Sequence, residues 1–277
     1  MSGENRHDDL RAKVREAVMS LDSPSTSSEA TTSDLSLDEE LNLHAIGWEA
    51  VELVSGYSAF STPMGVWSWG QGEITAATEA HANAFSSAIR RLHHEAATAG
   101  GHGVVGVHIE RSIFSTYTAV SLIGTAVRPI GAGRISDDHV FVSDLSARDF
   151  SRLVLAGWEP LGLATGASFV YAPRRTIGAA LAQQSQNVEL SNFTDAIYAA
   201  RELAMERMQQ SAIDLHGSGV VEVKVVEGPM AFAAHAVGFT AWGTVVRLAA
   251  GEHRLMRPSL VVSLDDPVVT FDAATLG

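Results

Sequence analysis

The sequence predicts an α+β protein built from two repeated β-α-β-β units, each with a short leading helix and each expected to take part in a ring. Two observations support this fold class. Residues 33–56 align without a gap with residues 143–166, and ten of the 24 aligned positions are identical, where ordinary residue frequencies would give about two. Alanine-rich segments at helical spacing also alternate with valine-rich segments at strand spacing.

Further matches continue the repeat along the chain. The offset between the copies is 110 at first, becomes 116 where GVV at 103–105 matches 219–221, and reaches 119 where 124–128 matches 243–247. A growing offset indicates insertions in the loops of the second copy. The predicted organisation is an acidic, Ser/Thr-rich disordered arm, two units and a C-terminal extension, at residues 1–33, 34–133, 143–250 and 251–277.

Each unit begins with a capping pattern, in which a serine hydroxyl and a later carboxylate satisfy backbone donors at a helix start. The pairs are Ser36 with Glu39 and Ser146 with Asp149. The next glycine in each copy is predicted to end this short helix. The runs VELVSG and LGLATG follow, and each suits a first strand that ends on its glycine.

A long helix and two more strands complete each unit. The helices carry alanine-rich apolar stripes, which permit close packing. The stripes are Ala77, Ala80, Ala84, Ala88, Leu92, Ala96 and Ala99, and Phe193, Ile197, Ala200, Ala204, Met208 and Ala212. The last strands, TAVSLIGTAV and AVGFTAWGTVV, contain a glycine that predicts a bulge or a close backbone approach. A three-stranded sheet with one helix leaves an open face and open edges, so we expect oligomerisation.

The blocks GVVGVHIE and VSLIGTAV, in this order around a long helix, resemble those of the YbjQ-like family, whose members are labelled heavy-metal-binding. The resemblance covers most of the first copy and, more weakly, the second. It implies a dodecin-like fold that assembles as five-fold rings. A duplicated chain would then either stack a ring of first copies on a ring of second copies, or form a ring with an even number of units.

Composition excludes several classes of function. Lys plus Arg number 19 and Asp plus Glu number 32, so the net charge is −13, which disfavours nucleic acid and anionic membranes as partners. The chain has no cysteine, which excludes disulfides, thiolate metal sites and cysteine nucleophiles. No run approaches the about 18 apolar residues of a membrane span, and the start MSGENRHDDL lacks a signal-peptide core. We expect a cytoplasmic protein.

The N-terminal arm is a candidate for recruiting a protein partner. Eight of the eleven residues from 23 to 33 are Ser or Thr, so this stretch has little to bury and is predicted to be disordered. Before it, apolar residues at helical spacing predict a short helix that either docks on a partner or frays in water. They are Leu10, Val14, Ala17, Val18 and Leu21.

The candidate metal ligands lie in the first copy, at His94, His102, His108 and Glu110. Imidazole and carboxylate groups hold zinc or a similar ion if three or four of them converge. The second copy has glutamine, serine and lysine at the positions aligned with the three histidines. Any metal site is therefore confined to the first copy, and the alternative is that these histidines are solvated or packed.

A candidate ligand site combines two loops. Trp67 and Trp69 lie in the glycine-rich loop TPMGVWSWGQGE, and Arg174 and Arg175 lie in the corresponding loop of the second copy. Stacked units would place an aromatic wall beside a cationic one, which suits a planar or anionic small ligand. Packing between subunits is the alternative role for these side chains.

Common enzyme motifs are missing from the sequence, among them G-x-S-x-G, the P-loop and H-E-x-x-H. The leading hypothesis is a non-enzymatic, homo-oligomeric binding or scaffold protein without a cofactor. The first alternative is a small-ligand or metal-ion binder with pockets between units, whose cofactor would be a divalent metal ion. The repeated acids Glu49 and Glu159 leave a hydrolase as a third hypothesis.

Overall fold

The computed structural model describes residues 32–62, 72–114, 116–172, 190–230 and 233–249. The first half contains α1 (Leu37–Ala45), β1 (Trp48–Ser61), β2 (Gly72–Glu73), α2 (Thr75–Ala99), β3 (Gly103–Ile113) and β4 (Tyr117–Pro129). After a short 3-10 helix (Asp137–His139), the second half contains β5 (Phe141–Val142), α3 (Ala147–Leu155), β6 (Trp158–Tyr171), α4 (Ser191–Asp214), β7 (Gly219–Met230) and β8 (Ala233–Leu248). The predicted α+β class is confirmed.

The strands form two four-stranded sheets. Sheet A has the order β1-β4-β3-β5, and sheet B has the order β2-β6-β8-β7. The long strands pair in antiparallel fashion, whereas β5 adds to β3 in parallel. Each half of the chain also supplies one short edge strand to the other half, since β2 pairs with β6 and β5 pairs with β3. The two halves are therefore interlocked through backbone hydrogen bonds.

The helix ends follow the predicted local signals. Ser36 forms a capping box at the start of α1, where its amide donates to Glu39 Oε2 at 3.0 Å. At the start of α3, the Asp149 amide donates to Ser146 Oγ at 3.1 Å. The two short helices end just before Gly47 and Gly157, whose φ values of 79° and 86° lie in the left-handed region that glycine adopts freely.

Each long helix packs directly on the backbone of its sheet. A Cβ added to Gly56 on β1 would lie 2.2 Å from the Ala88 carbonyl oxygen of α2, and one added to Gly166 on β6 would lie 2.0 Å from the Ala204 carbonyl oxygen of α4. The prediction that the first strands end on these glycines was wrong, because both strands continue past them. Glycine is needed here for the helix approach and not for a turn.

The glycines predicted inside the last strands mark close approaches. A Cβ on Gly124 would lie 2.8 Å from a methyl of Val104, and one on Gly243 would lie 2.8 Å from a methyl of Val220. Opposite these two glycines, the register shifts on the neighbouring strands, between Val105 and His108 of β3 and between Val221 and Lys224 of β7. In the described ranges, no helix is both long enough and apolar enough to cross a bilayer. Residues 1–31 and 250–277, which include most of the predicted arm and extension, lie outside these ranges.

Candidate functional site

Helix α2 lies between the two sheets and contacts both. The alanine stripe of α2 packs on sheet A. The other side of α2 packs on sheet B, on the face that α4 does not contact. We call this second contact the inter-sheet interface. Its buried apolar residues are Ile74, Ala77 and Phe85 next to or within α2, and Leu163, Ala167, Phe169, Ala236 and Trp242 on sheet B.

A carboxylate anchors the start of α2 to sheet B. Glu73 accepts hydrogen bonds from Arg207 Nη2 at 2.8 Å, from Ser168 Oγ at 2.8 Å and from Thr78 Oγ1 at 3.0 Å. The Arg207 guanidinium also donates to the Ala167 carbonyl oxygen at 2.8 Å. The hydrogen bond from Arg207 is the main reason that the pKa of Glu73 lies below its usual value. The arrangement fixes α2, sheet B and α4 relative to one another.

His81 is the buried imidazole of the inter-sheet interface. Its ring lies 5.0 Å from the Phe85 ring and 5.4 Å from the Phe169 ring, and only 2% of its surface is exposed. Within the described residues, neither ring nitrogen has a hydrogen-bond partner. Burial, helped by the charge of Arg111, lowers its pKa to about 3, so the ring is neutral.

A cavity of about 320 Å³ lies beside His81 in the inter-sheet interface. Its polar lining comes from both halves of the chain, from Thr75, Thr78, Glu79, Thr165, Arg207 and Thr240. Three of these polar side chains are already engaged, because Arg207 and Thr78 donate to Glu73 and Thr240 accepts a hydrogen bond from Arg111 at 3.2 Å. Both ring nitrogens of His81 are buried and have no hydrogen-bond partner among the described residues.

Residues 141–146 connect the sheets as a strap. On one side, the Gly106 amide of β3 donates to the Leu145 carbonyl oxygen at 2.7 Å. On the other side, Thr244 Oγ1 of β8 accepts from the Asp144 amide at 3.1 Å and donates to the Asp144 carboxylate at 2.7 Å. The strap therefore covers the edge of sheet A while it is bound to the last strand of sheet B.

Sheet A has an open face at the positions that align with the inter-sheet interface of sheet B. Three large apolar side chains on this open face are exposed over 39%, 57% and 40% of their surface, namely Leu53, Tyr57 and Ile123. The aligned residues of sheet B keep only 5%, 6% and 7% exposed, namely Leu163, Ala167 and Trp242. In the described chain, α2 covers this face of sheet B. On sheet A, α1 and α3 pack over one end of the corresponding face, at Val105 and Val127, and no described helix covers Leu53, Tyr57 and Ile123.

The four predicted ligand-site residues, Trp67, Trp69, Arg174 and Arg175, lie outside the described residues. Their role in binding a planar or anionic ligand stays a prediction. Two other tryptophans, Trp48 and Trp158, line a cleft of about 900 Å³ together with His102. Trp48 packs edge-on against Phe150, with 5.1 Å between the ring centroids.

The predicted metal ligands lie in three separate environments. The closest polar contacts are His94 Nδ1 to Asp137 Oδ2 at 2.8 Å, His102 Nε2 to the Gly133 carbonyl oxygen at 2.6 Å, and His108 Nε2 to Glu110 Oε1 at 3.6 Å. Across the described part of the chain, no group of three or more His, Asp or Glu side chains is arranged to hold a metal ion. The structure therefore does not bring these four residues together.

The acids named for a hydrolase are engaged in ion pairs within their own sheets. Glu49 Oε1 accepts from Arg128 Nε at 2.7 Å, and Glu159 Oε1 accepts from Arg247 Nε at 2.9 Å. The first pair joins β1 to β4, and the second joins β6 to β8. These contacts account for the recurrence of the two acids as structural cross-links.

Sequence reasoning missed the polar residues of the inter-sheet interface, Glu73, His81 and Arg207. One signal was available, since Arg91 and Arg207 align at the offset of 116. Their guanidinium groups donate to aligned carbonyl oxygens, those of Tyr57 and Ala167. By contrast, nothing in the sequence pattern shows that Glu73 reaches across to Arg207, because that contact depends on how the two halves meet.

The comparisons with known proteins bear on this arrangement as a whole. The chain is 33% identical over 243 residues to the encapsulin nanocompartment protein Rv1762c of Mycobacterium tuberculosis (strain ATCC 25618 / H37Rv). The matched region covers 84% of this chain and 92% of that relative. This chain belongs to the same family. A family model described as "Putative heavy-metal-binding", YbjQ, matches residues 52–129. No solved structure matches.

The YbjQ match runs from β1 through β4, and so covers sheet A with α2. The predicted resemblance of the first copy to the YbjQ-like family is confirmed, whereas the resemblance of the second copy stays a prediction. The described residues of the matched segment do not fit a metal centre, because they contain no group of three potential ligands.

Proposed function

We propose that this protein is a non-enzymatic structural component of a nanocompartment and that it works as a homo-oligomer of chains with two YbjQ-like units each. The open face of sheet A carries this proposal. Its exposed apolar residues, Leu53, Tyr57 and Ile123, align with residues that are buried in the inter-sheet interface. Exposed apolar patches of this kind mark interaction surfaces, and a second chain would cover this one.

The strand register supports the interpretation of two equivalent units. Leu53 lies opposite Thr125 in sheet A, and the aligned Leu163 lies opposite Thr244 in sheet B. The strand orders β1-β4-β3 and β6-β8-β7 correspond as well. The aligned positions therefore lie on the same face of each sheet, so their burial in the two sheets can be compared directly.

Two further observations support a structural role. The relative carries the name of a nanocompartment protein, and the match covers 92% of its length. The recurring acids are engaged in ion pairs, Glu49 with Arg128 and Glu159 with Arg247. A catalytic carboxylate needs to reach substrate, whereas these carboxylates hold strands together.

Native mass spectrometry and light scattering test the proposal. The unmodified chain should form a defined oligomer, and the double variant Tyr57→Glu with Ile123→Glu should shift it to smaller species, because the charges prevent burial of the open face. The matched control is Ile213→Glu, which places a charge at another exposed apolar residue, 62% exposed on α4. A monomeric unmodified chain at micromolar concentration, or an unchanged oligomer in the double variant, would contradict the proposal.

Binding of a small ligand between the units is a second candidate, carried by the cavity beside His81. The unpaired imidazole can both donate and accept a hydrogen bond, which suits a small neutral polar molecule. Native mass spectrometry of freshly purified protein should then show an extra mass that is lost in His81→Leu but kept in His44→Leu, a change far from the cavity. A spectrum without extra mass, before and after chelator treatment, would contradict both the ligand and the metal-ion alternatives.

A further inference from the structure

We propose that the open face of sheet A and the adjoining segment of residues 33–36 dock onto α4 and β7 of a second copy of this chain. The contact would be head-to-tail and would repeat between chains the contact that α2 and β3 make with sheet B within one chain. The inference rests on the proposed self-assembly and goes further by naming the partner surface.

The first argument comes from the uncovered side of α4. Helices α2 and α4 align at the offset of 116, as shown by the matching contacts of Ala88 with Gly56 and of Ala204 with Gly166. The side of α2 that enters the inter-sheet interface is buried, with Ile74 at 7%, His81 at 2% and Phe85 at 1% exposed. The aligned residues of α4 are more accessible and define its docking side, namely Leu190 at 48% exposed, the exposed Arg201, and the half-buried Ile197, which also packs against the core between α4 and sheet B.

The second argument is independent and comes from the backbone of β7. Gly106 of β3 has a φ of 65°, and the aligned Glu222 of β7 has a φ of 52°. Gly106 lies in a bulge of β3, which turns two successive backbone amides outward. The Gly106 amide donates to the Leu145 carbonyl oxygen, and the Val107 amide donates to the Ser143 carbonyl oxygen of the strap. A non-glycine residue in this region is strained. β7 therefore keeps a geometry suited to a strap, although it is the edge strand of sheet B.

The segment that aligns with the strap lies on sheet A in the same way. The Asp34 amide donates to Thr125 Oγ1 at 3.1 Å, as the Asp144 amide donates to Thr244 Oγ1 at 3.1 Å. Residues 33–36 are thus placed along the last strand of sheet A, beside the open face. In the proposed contact, their carbonyl oxygens accept from the outward amides of Glu222 and Val223 in the second chain.

The positions of the two proposed docking surfaces in the chain determine the kind of assembly. The open face with residues 33–36 and the docking side with β7 lie on different halves of the chain, so the contact is heterologous. Repeating it places first and second units alternately. The product is a closed ring with an even number of units, or an open filament if the rotation does not close.

Two surface variants test the head-to-tail contact. The first, Tyr57→Glu with Ile123→Glu, blocks the open face, and the second, Tyr198→Glu with Arg201→Glu, blocks the docking side of α4. Both residues changed on α4 are exposed, so its own core stays intact. Each variant alone should be monomeric by native mass spectrometry. A one-to-one mixture should form a heterodimer and nothing larger, because each chain keeps the surface that the other has lost.

Other occupants of the open face give different results. If two open faces met each other, the docking-side variant would still dimerise by itself, which would overturn the inference but leave the proposed function standing. If the chain's own terminal segments covered the open face, the unmodified chain would be monomeric, which would overturn both. The control Ile213→Glu, at the end of α4, should assemble like the unmodified chain.

Crosslinking provides a second measurement that does not depend on weakening the assembly. The chain has no cysteine, so introduced thiols react alone. His81 and Phe169 face each other in the inter-sheet interface. Ile197 aligns with His81 and Ala59 aligns with Phe169, so the proposed contact would place Ile197 of one chain opposite Ala59 of the next. A chain with Ile197→Cys and Ala59→Cys should give crosslinked multimers with a short bismaleimide. The pair Ile213→Cys and Ala59→Cys should not, and equal crosslinking of both pairs would overturn the inference.

Discussion

His81 is a neutral imidazole in a site where protonation is strongly disfavoured, since its pKa is about 3 against an ordinary value of 6.5. At pH values between about 3 and 6.5, His81 binds a proton in the unfolded chain but not in the folded chain. The free energy of unfolding should therefore fall as the pH drops below 6.5, with this residue contributing at most about 1.4 kcal/mol per pH unit. In His81→Leu this part of the slope should disappear in urea unfolding at pH 7 and pH 5. Equal slopes in the two proteins would contradict the assignment.

Glu73 contributes to stability in a different pH range. Its pKa is lowered mainly by the hydrogen bond from Arg207, so its contribution is present above its ordinary pKa of 4.5 and is lost as the pH falls below that value. Glu73→Gln should lower the free energy of unfolding at pH 7 by about 1 kcal/mol, a modest figure because the ion pair is partly exposed. The difference should shrink near pH 3. The control Glu52→Gln, at an exposed site on β1, should change stability little at either pH.

Glu222 is strained by its positive φ of 52°. Glu222→Gly should relieve this strain and raise the free energy of unfolding by about 1 kcal/mol. The matched control is Glu222→Ala, which keeps the strain and loses only the exposed ion pair with Lys224 at 3.2 Å. Thermal unfolding of the two variants separates the contributions, and equal melting temperatures for both would contradict the role of backbone strain.

At the scale of elements, the close contact of each long helix with its sheet depends on one glycine. Gly56→Ala would place a Cβ 2.2 Å from the Ala88 carbonyl oxygen, so α2 has to move away from β1. We expect a loss of roughly 1–3 kcal/mol in the free energy of unfolding. Gly133→Ala is the control, because a Cβ there has no neighbour within 4 Å. A similar stability for both variants in chemical denaturation would show that α2 is not held by this contact.

The elements also show which features a sequence predicts well. The helix starts at Ser36 and Ser146 and the ends of the short helices at Gly47 and Gly157 were predictable, because a cap is satisfied within a few residues of the same segment. The ends of the first strands were not predictable from Gly56 and Gly166. A glycine that permits a helix to approach looks the same in sequence as a glycine that starts a turn.

For the whole molecule, the open face of sheet A predicts that stability depends on protein concentration. If chains associate only when folded, the melting temperature should rise with concentration. The double variant Tyr57→Glu with Ile123→Glu should lose this dependence, since its monomer has no partner to bind. Differential scanning fluorimetry over a hundredfold range of concentration measures it. A melting temperature independent of concentration in the unmodified chain would contradict association through this surface.

The sequence by itself determined the α+β class, the helices with their caps, and the alignment of its two halves, because these depend on local hydrogen bonding and on the period of the apolar residues. Only the tertiary structure decided how the halves meet. The pairing of Glu73 with Arg207, the burial of His81 and the passage of the strap across Gly106 join residues far apart in the chain. The tertiary structure also decided that one face of sheet B is covered while the aligned face of sheet A is open. Burial depends on which surfaces the folded chain brings together, so two similar segments can differ in their exposure.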